Sequence, residues 1–457
     1  MPHSIMNEQS RPIRPFSTII MFIRYIAILG GIALQTVVVG CRCPSAGCVP
    51  RTPSAPCLQE LTTGPEAPPD LFETVTDCAD GDCGLAALPD PNETYQLLDP
   101  QTCQCHAATN ANQANLVELE RYWARITVEC DSRTVQDNLC LERDLLALHA
   151  TGLRNKAAGA ALEVYYQLAG LEVKKHYLEQ ALKETLLSLK RADSLGREGL
   201  PVKIDRAEIA GSAGQLQDRM LQLKYLRVQL NGQLQMMLDC PQQEHDFFWP
   251  QFDWQVDLRP LDAEGELALG LAQRSDLRGL QLTICNLEKK TLPVARGVVA
   301  IADGTLGSVK PTAGLIHKIR CMRCSAGEVP VRCRQLALML EDTEQLATAE
   351  IKGAVYEVAL QQQRVVLARK MVKQRRQRLH ELTAKRDVDE IAIFELSKAR
   401  GRLYEAESEL VQQVVQLEIA RVRLRKAQGL LAKECGYQPK LCLQGCCHGA
   451  CCQATGG

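Results

Sequence analysis

The chain has 457 residues, with 53 basic against 54 acidic side chains and a formal net charge of -1. Such a balance argues against nucleic-acid binding, because no excess of Lys and Arg exists to release counterions from phosphates. Aromatic residues make up only 4% of the chain, which is low for a large β-sandwich or β-barrel. The 21 cysteines are too many for an ordinary reduced cytosolic protein. Composition therefore predicts an exported, mainly helical chain with room for two or three domains.

Residues 1–40 are predicted to be a signal peptide. An apolar run from Tyr25 to Gly40 follows Arg24. Its length of about 16 residues is short for a membrane span but typical of a signal-peptide core. A chain that started at Met21 would also have a good signal sequence, so the true start could lie there.

Cys41 is a candidate lipidation site. The signal ends Val38-Val39-Gly40-Cys41, which resembles the bacterial lipoprotein signal, whose cysteine is lipidated and becomes the mature N-terminus. An uncleaved anchor and a plain signal peptide with a chance cysteine are the alternatives. Residues 41–105 follow, rich in Cys, Pro and Asp without a hydrophobic period, and are interpreted as a tether or a small cross-linked region.

Proline placement predicts long helices in the rest of the chain. Proline is absent from Gln101 to Leu200 and again from Val331 to Gln438, and proline breaks helix interiors. Breaks are expected near Pro201 and at residues 384–387, which gives four helices over residues 157–191, 205–238, 348–383 and 389–434. At 1.5 Å per residue each helix spans roughly 50–70 Å, a length typical of coiled-coil hairpins rather than of a compact globule.

The two hairpins match each other in sequence, which indicates a tandem duplication. An offset of 187 aligns Gly214, Leu216, Leu223, Val228 and Leu230 with Gly401, Leu403, Leu410, Val415 and Leu417. An offset of 194 aligns Gly159, Ala160, Glu163, Val164 and Gln167 with Gly353, Ala354, Glu357, Val358 and Gln361. The predicted domains are a first repeat at 106–240, a connecting segment at 241–333, a second repeat at 334–434 and a Cys-rich tail at 435–457.

Four short elements, in this order and spacing, resemble the TolC family of outer-membrane efflux proteins. They are the first tip at Gly199–Asp205, the helix ending Leu226–Asn231, the element Arg274-Ser275-Asp276-Leu277 after Ala268-Leu269, and the closing helix at Leu403–Leu410 and Arg421–Leu430. The resemblance covers roughly residues 100–435. It implies a mainly α fold of two tandem coiled-coil hairpins, a TolC-like helical barrel protomer with at most a small β portion.

The resemblance also implies a function and partners. Such a chain would form a homotrimer whose helices enclose a tunnel through the periplasm. It would act as a passive exit conduit for small solutes, together with a periplasmic adaptor protein and an inner-membrane pump, and would be lipid-anchored at the outer membrane. The adaptor would dock on the hairpin tips, for which the candidates are Gly199, Leu200, Pro201, Val202, Asp205, Arg386, Asp387, Val388 and Asp389. These residues could also simply be turns. Glu395 is a candidate for the tunnel entrance, although Lys398 lies near another such position.

The sequence departs from the family where each repeat should carry two membrane strands of about ten residues. Residues 107–156 show no such strand pair and are interpreted as helix and loop. Residues 298–309, around Asp303-Gly304, could form a short hairpin. Lipidation at Cys41 is then expected to be the main membrane attachment.

No catalytic constellation is found, so the chain is not expected to be an enzyme or to need a cofactor. Cysteines cluster outside the two hairpins, which favours disulfides that cross-link irregular segments. The tail also has spacings that a soft metal could use, with Cys446, Cys447, His448, Cys451 and Cys452 as candidates, but disulfides are the favoured interpretation.

Three functions therefore remain open on sequence alone. The leading hypothesis is the efflux conduit. A non-conducting coiled-coil lipoprotein that spaces the layers of the cell envelope is the main alternative, and a Cys-rich periplasmic metal-binding protein is the third.

Overall fold

The structure is a computed structural model that describes residues 94–130, 133–197, 206–240, 246–304, 315–384 and 391–443. Its elements follow in chain order: β1 Thr94–Leu98, α1 Pro100–Thr109, α2 Asn112–Cys130, α3 Arg133–Arg197, α4 Arg206–Leu238, β2 Asp246–Pro250, α5 Ala263–Gln273, α6 Ser275–Cys285, α7 Leu292–Ala302, α8 Leu315–Ala384, α9 Ile391–Gln428 and α10 Leu431–Glu434. The expectation of a mainly α fold with two long helical hairpins and a small β portion is confirmed.

Helices α3 and α8 begin earlier than their sequence pattern indicates. Helix α3 has 65 residues and α8 has 70, so α8 starts well before the expected residue 348 and runs through the domain boundary placed at residue 333. Pro330 lies inside α8, although proline usually breaks a helix interior. Val329 and Leu336 on either side of it are buried against α7. Burial of this apolar face accounts for the helix continuing despite the proline.

A two-stranded parallel sheet lies where the tether was expected to continue. Strand β1 pairs with β2 in the register Tyr95 to Phe247 and Leu98 to Pro250, although Thr94–Leu98 and the start of α1 fall within the predicted tether at 41–105. Leu98 is fully buried, so this strand belongs to the hydrophobic core. The tether interpretation is therefore wrong for residues 94–105.

The short hairpin considered at residues 298–309 is also wrong for the residues that the structure describes there. Val298 lies in α7, which runs from Leu292 to Ala302. Leu292, Ala295 and Val299 are buried, and their spacing of three and four residues places them on one helical face. Helical period rather than strand alternation therefore governs this segment.

The core forms where the two hairpins meet. Helix α9 runs antiparallel to both α3 and α8 and packs between them, while α4 packs on the other side of α3. Gly170 on α3 allows a close approach of the two helices, since a Cβ there would lie 2.6 Å from Cγ2 of Val415 on α9. The four long helices therefore lie side by side in the order α4, α3, α9, α8.

A disulfide joins the two ends of the described chain. Cys105 in α1 is bonded to Cys435, which follows α10. The prediction that the chain contains disulfides is confirmed at this position. The expectation that the cysteines lie in irregular segments is wrong, because Cys103, Cys105, Cys140 and Cys285 all lie in helices.

Candidate functional site: the four-helix wall

One segment, residues 248–259, crosses all four long helices on the same side; we call it the belt. At its start, the backbone N–H of Phe248 donates to Oδ1 of Asn231 on α4 at 2.7 Å. Three residues later, the hydroxyl of Tyr165 on α3 donates to the carbonyl oxygen of Gln251 at 2.6 Å. The belt thus passes from α4 to α3.

The belt continues over the second hairpin. Arg421 on α9 donates to the carbonyl oxygen of Asp257. Gln362 on α8 donates to the carbonyl oxygen of Arg259 at 2.8 Å. The contacts therefore follow the order α4, α3, α9, α8, and each helix turns one identifiable residue towards the belt.

Apolar side chains hold the belt on the helices. Phe252, Trp254, Val256 and Leu258 pack against the main core cluster. The ring of Phe252 lies edge-on to Tyr166, with centroids 5.4 Å apart. Burying these side chains stabilises the belt by removing apolar surface from water.

A buried ion pair fixes α4 to α3 beneath the sheet. Nε of Arg227 lies 2.5 Å from Oε1 of Glu172, with side chains 5% and 4% exposed. The same guanidinium donates to the Tyr95 hydroxyl at 2.6 Å and lies 4.1 Å from the ring centroid of Phe247. Because a buried charge is costly unless it is paired and hydrogen-bonded, this group fixes the relative positions of both helices and both strands.

Asn231 shows what the Leu226–Asn231 motif does. Its side-chain nitrogen donates to the carbonyl oxygen of Arg227 at 2.9 Å, while its oxygen accepts from Phe248. The amide thus joins the end of α4 to the belt. The resemblance singled out this motif, but sequence reasoning missed the role of Arg227 and Asn231, because their partners lie elsewhere in the chain.

The Arg274–Leu277 motif joins the second repeat together. Arg274 pairs with Asp276 at 2.7 Å and with Glu350 at 2.5 Å, and it donates to the carbonyl oxygen of Ala427 at 3.1 Å. Burial opposes ionisation of Asp276, but the bonds from Arg274 outweigh it and hold the pKa of Asp276 below its usual value. Arg274 therefore connects α6, α8 and α9.

The side of the helices opposite the belt, here called the inner face, carries charged side chains at the level of the belt. Residues two positions apart on a helix point about 200° apart, so the belt contacts at 231, 165, 421 and 362 place Gln229, Glu163, Arg423 and Arg364 on this face. Arg423 lies 2.7 Å from Glu357 and 3.4 Å from Glu163. Lys426 completes the group at 2.6 Å from Glu163. The inner face therefore carries paired charges rather than an apolar core.

Few of the site residues predicted from sequence fall within the described part of the chain. Cys41, both tips at 198–205 and 385–390, and the tail cysteines with His448 lie outside the described residues. Glu395 is exposed near the start of α9, with Lys398 exposed one turn later. The positions of the tips and of the metal candidates therefore remain predictions.

The start of the tail docks on α3. Both oxygens of the Asp144 carboxylate accept backbone N–H groups, from Cys442 and Leu443, at 2.8 Å each. Burial raises the pKa of Asp144, although the bond from Leu443 and the charge of Arg143 oppose the shift. Leu443 packs on the cluster around Leu141. Within the described ranges, no three His, Cys, Asp or Glu side chains come together as metal ligands would.

None of the described helices combines the length and the apolar character that crossing a membrane requires.

No protein-family model matches the sequence, and no curated protein matches it. Solved structures do match the fold. The chain is similar to the outer-membrane channel OprN, with a TM-score of 0.55 and 14% identity over 80% of this chain and 98% of that one. It is similar to CusC, described as forming a transmembrane channel, with a TM-score of 0.54 and 11% identity over 72% and 91%. The Campylobacter jejuni outer-membrane channel CmeC gives a TM-score of 0.51 and 11% identity over 72% and 85%.

At these identities the likeness concerns the fold. The helix order and the two repeated hairpins agree with the architecture that the four sequence motifs indicated. The chain has the TolC-like fold of outer-membrane channel protomers.

Proposed function

We propose that this chain is the protomer of a TolC-like outer-membrane efflux lipoprotein, the homotrimeric exit conduit of a tripartite export system. In this proposal Cys41 carries the lipid anchor and the hairpin tips dock on a periplasmic adaptor, which links the conduit to an inner-membrane pump. Small solutes pass along the inner face without bond chemistry. One observation carries the proposal. Helix α9 packs on α3 inside the chain, whereas the equivalent face of α4, the counterpart of α9 in the first repeat, is left exposed.

Val415 and Val228 show one side of this interface. Val415 on α9 packs on α3 at Gly170 and is 3% exposed, whereas its equivalent Val228 on α4 is 57% exposed. Helix α9 of the second repeat thus packs on α3 of the first repeat. Among the described residues, no helix packs in the equivalent way on the Val228 side of α4. A second copy of α8, the repeat equivalent of α3, would supply that contact.

Two equivalent glycines show the other side. A Cβ on Gly159 of α3 would lie 2.6 Å from Cδ of Lys426, so this glycine is covered by the second hairpin. Its equivalent Gly353 on α8 faces open space. Because α3 is covered and α8 is not, α8 is the surface expected to receive α4 of a neighbouring copy.

The two uncovered helices carry apolar faces of similar character. On α4, Leu221 is 66% and Tyr225 71% exposed; on α8, Tyr356 is 73% and Leu367 62% exposed. Exposed apolar patches of this kind mark interaction sites. Each interface is heterologous, and a heterologous contact closes into a ring when the rotation allows. The TolC-like fold favours a ring of three chains.

The belt and the inner face indicate which side of the ring is open. A continuous segment across all four helices would obstruct a tunnel if it lay inside, so the belt lies outside. The inner face then lines the lumen. Glutamines recur there every seven residues along α4, at Gln215, Gln222 and Gln229, and all three are exposed. Neutral polar side chains suit a water-filled passage.

The test uses the mature chain purified in detergent, its mass determined by light scattering, and its conductance measured in planar bilayers. We expect a trimer with stable single-channel currents. Tyr225→Glu should prevent assembly, because it places a charge in the interface. Lys224→Glu is the matched control: Lys224 lies seven residues before Asn231, on the belt side of the same helix, and this variant should assemble and conduct.

The rival function makes the opposite prediction. A non-conducting envelope spacer would give a monomer or dimer without currents, or a trimer without currents, and either result would overturn the conduit. Tight stoichiometric metal on the purified chain, without currents, would favour the metal-binding alternative.

A further inference from the structure

We infer that one section of the tunnel is electropositive and makes the conduit favour small anionic solutes. This inference rests on the proposed function and concerns the inner face between Gln416 and Lys398, on the tip side of the Arg423 group. We call it the basic section.

Helical spacing places the charges of α9 on the inner face. Arg402 lies three heptads before Arg423, and Glu409 lies two heptads before it. Glu405 lies 18 residues before Arg423, which is five full turns, so all three share the face of Arg423. All three are exposed. Because α9 packs between α3 and α8, this stripe is its accessible side.

Helix α8 adds two arginines to the same face. Arg364 lies two positions from the belt contact Gln362, and Arg375 lies 11 residues further, about three turns. Arg375 lines a groove of about 250 Å³ between α8 and α9 together with Arg402, Glu405 and Glu409. Arg375 of α8 and Arg402 of α9 therefore meet at one level of the wall, and Arg364 lies about 16 Å nearer the belt.

A second groove, on the other side of α9, adds further basic groups. It measures about 330 Å³, and its lining includes Lys174 of α3, Arg219 of α4, and again Glu405 and Glu409. Burial lowers the pKa of Lys174, although Glu409 nearby opposes this shift. Glu405 and Glu409 are thus flanked by basic side chains on both sides.

The balance of charge in the basic section differs from that of its neighbours. Four arginines (219, 364, 375 and 402) and Lys174 stand against Glu405, Glu409 and Asp218, which bonds to Gln222 on the inner face, so the net excess is two positive charges per chain. Towards the belt, Arg423 and Lys426 are matched by Glu163 and Glu357. Towards the tip, Lys398 is matched by Glu395. The excess is therefore local.

Threefold repetition would turn this excess into a ring of positive charge. Rings of Arg and Lys select anions in other pores, and a lumen bounded by protein focuses the field of such groups. A potential of about one kT in the section would enrich monovalent anions over cations about sevenfold. Because the Debye length falls from about 30 Å at 0.01 M to about 3 Å at 1 M salt, the preference should fade as salt rises.

The experiment measures the reversal potential of the reconstituted full chain under a KCl gradient. The inner variant is Arg375→Glu with Arg402→Glu, and Arg375→Gln with Arg402→Gln is a milder version in case the first fails to fold. The matched control is Lys224→Glu with Lys373→Glu, which changes the net charge equally. Lys373 lies 11 residues after Gln362, so both control side chains are on the belt side and exposed.

We expect a wild-type anion-to-cation permeability ratio several-fold above one at low salt, a ratio below one in the inner glutamate variant, and no change in the outer control. A wild-type ratio at or below one would overturn the inference while leaving the conduit intact. Equal shifts in the inner and outer variants would also overturn it. Absence of currents in the wild type would instead overturn the proposed function.

Discussion

Val228 and Val415 occupy equivalent positions of the two repeats. Truncating each to alanine should show that one valine stabilises the ring and the other stabilises the fold. Val415 is 3% exposed within the chain and Val228 is 57% exposed. The proposed ring buries Val228 against α8 of a neighbouring copy. Val415→Ala should therefore weaken the fold, whereas Val228→Ala should leave the fold intact and weaken the ring.

The magnitudes follow from the buried groups removed. Val415→Ala deletes two methyl equivalents worth about 0.8 kcal/mol each and leaves a small cavity, so the free energy of unfolding should fall by about 2 kcal/mol. Val228→Ala removes the same two methyl equivalents, of which the ring newly buries the 57% exposed share, so it should remove about 0.9 kcal/mol from each of three interfaces, or about 2.7 kcal/mol per trimer. Since 1.4 kcal/mol is tenfold in an equilibrium constant, the trimer dissociation constant rises about a hundredfold, and the protein concentration at half-dissociation rises about tenfold.

Two measurements distinguish these effects. Thermal unfolding followed by circular dichroism at 222 nm reports the fold, and dilution in detergent followed by sedimentation velocity reports dissociation. Val415→Ala should lower the unfolding temperature and leave the dissociation midpoint in place; Val228→Ala should do the reverse. If Val228→Ala lowered the unfolding temperature of the dissociated chain, or left the dissociation midpoint where it was, the interface would have been assigned to the wrong helix face.

Three further outcomes are expected. Gly170→Ala places a Cβ 2.6 Å from Cγ2 of Val415 and should lower the free energy of unfolding by about 1–2 kcal/mol; combining it with Val415→Ala should recover part of the loss, and strict additivity in chemical denaturation would contradict the proposed clash. Replacing Cys105 and Cys435 by serine should lower the free energy of unfolding by about 2–5 kcal/mol, because their disulfide closes a loop across 330 residues. Dithiothreitol should lower the unfolding temperature of the wild type more than that of this double variant, and an equal effect on both would contradict the prediction. Burial lowers the pKa of Lys433 from its ordinary value of 10.5 to about 8. Between these two pH values the unfolded chain binds one proton more than the folded chain, so the free energy of unfolding should rise with pH relative to that of Lys433→Met. Parallel pH profiles of the two proteins would refute this.

The helical hairpins were predictable because their signals are local. Absence of proline and a mixed three- and four-residue apolar period identify a helix without reference to any partner. The same local rules failed where contacts with distant segments determine the secondary structure. Pro330 lies inside α8 because residues on both sides of it pack on α7, and residues 94–98 form a strand because they pair with residues 246–250. In both cases tertiary contact outweighs a local preference.

The belt illustrates a second limit. Its contacts with α9 and α8 use the carbonyl oxygens of Asp257 and Arg259. Every residue has a carbonyl oxygen, so no side-chain pattern in the sequence predicts these contacts. Of the donors, Gln362 lies in none of the four motifs, and Arg421 begins the Arg421–Leu430 motif without any indication of its partner. What the sequence did indicate was Leu226–Asn231 as a unit, and the structure shows Asn231 bonded to Phe248 at the start of the belt.

Duplication explains why sequence could reveal the repeats but not the surface that depends on them. Two equivalent hairpins placed side by side make one contact within the chain and leave its equivalent unmade, so Val228 and Val415 look alike in sequence and differ only once the chain is folded. The same asymmetry separates Gly159 from Gly353. A chain built in this way has an apolar face on α4 and another on α8 that the single copy leaves uncovered. In the proposed ring, joining these faces across copies would bury both, with the belt outside and the charged inner face around a common axis, so that assembly and lumen would follow from one repeated contact.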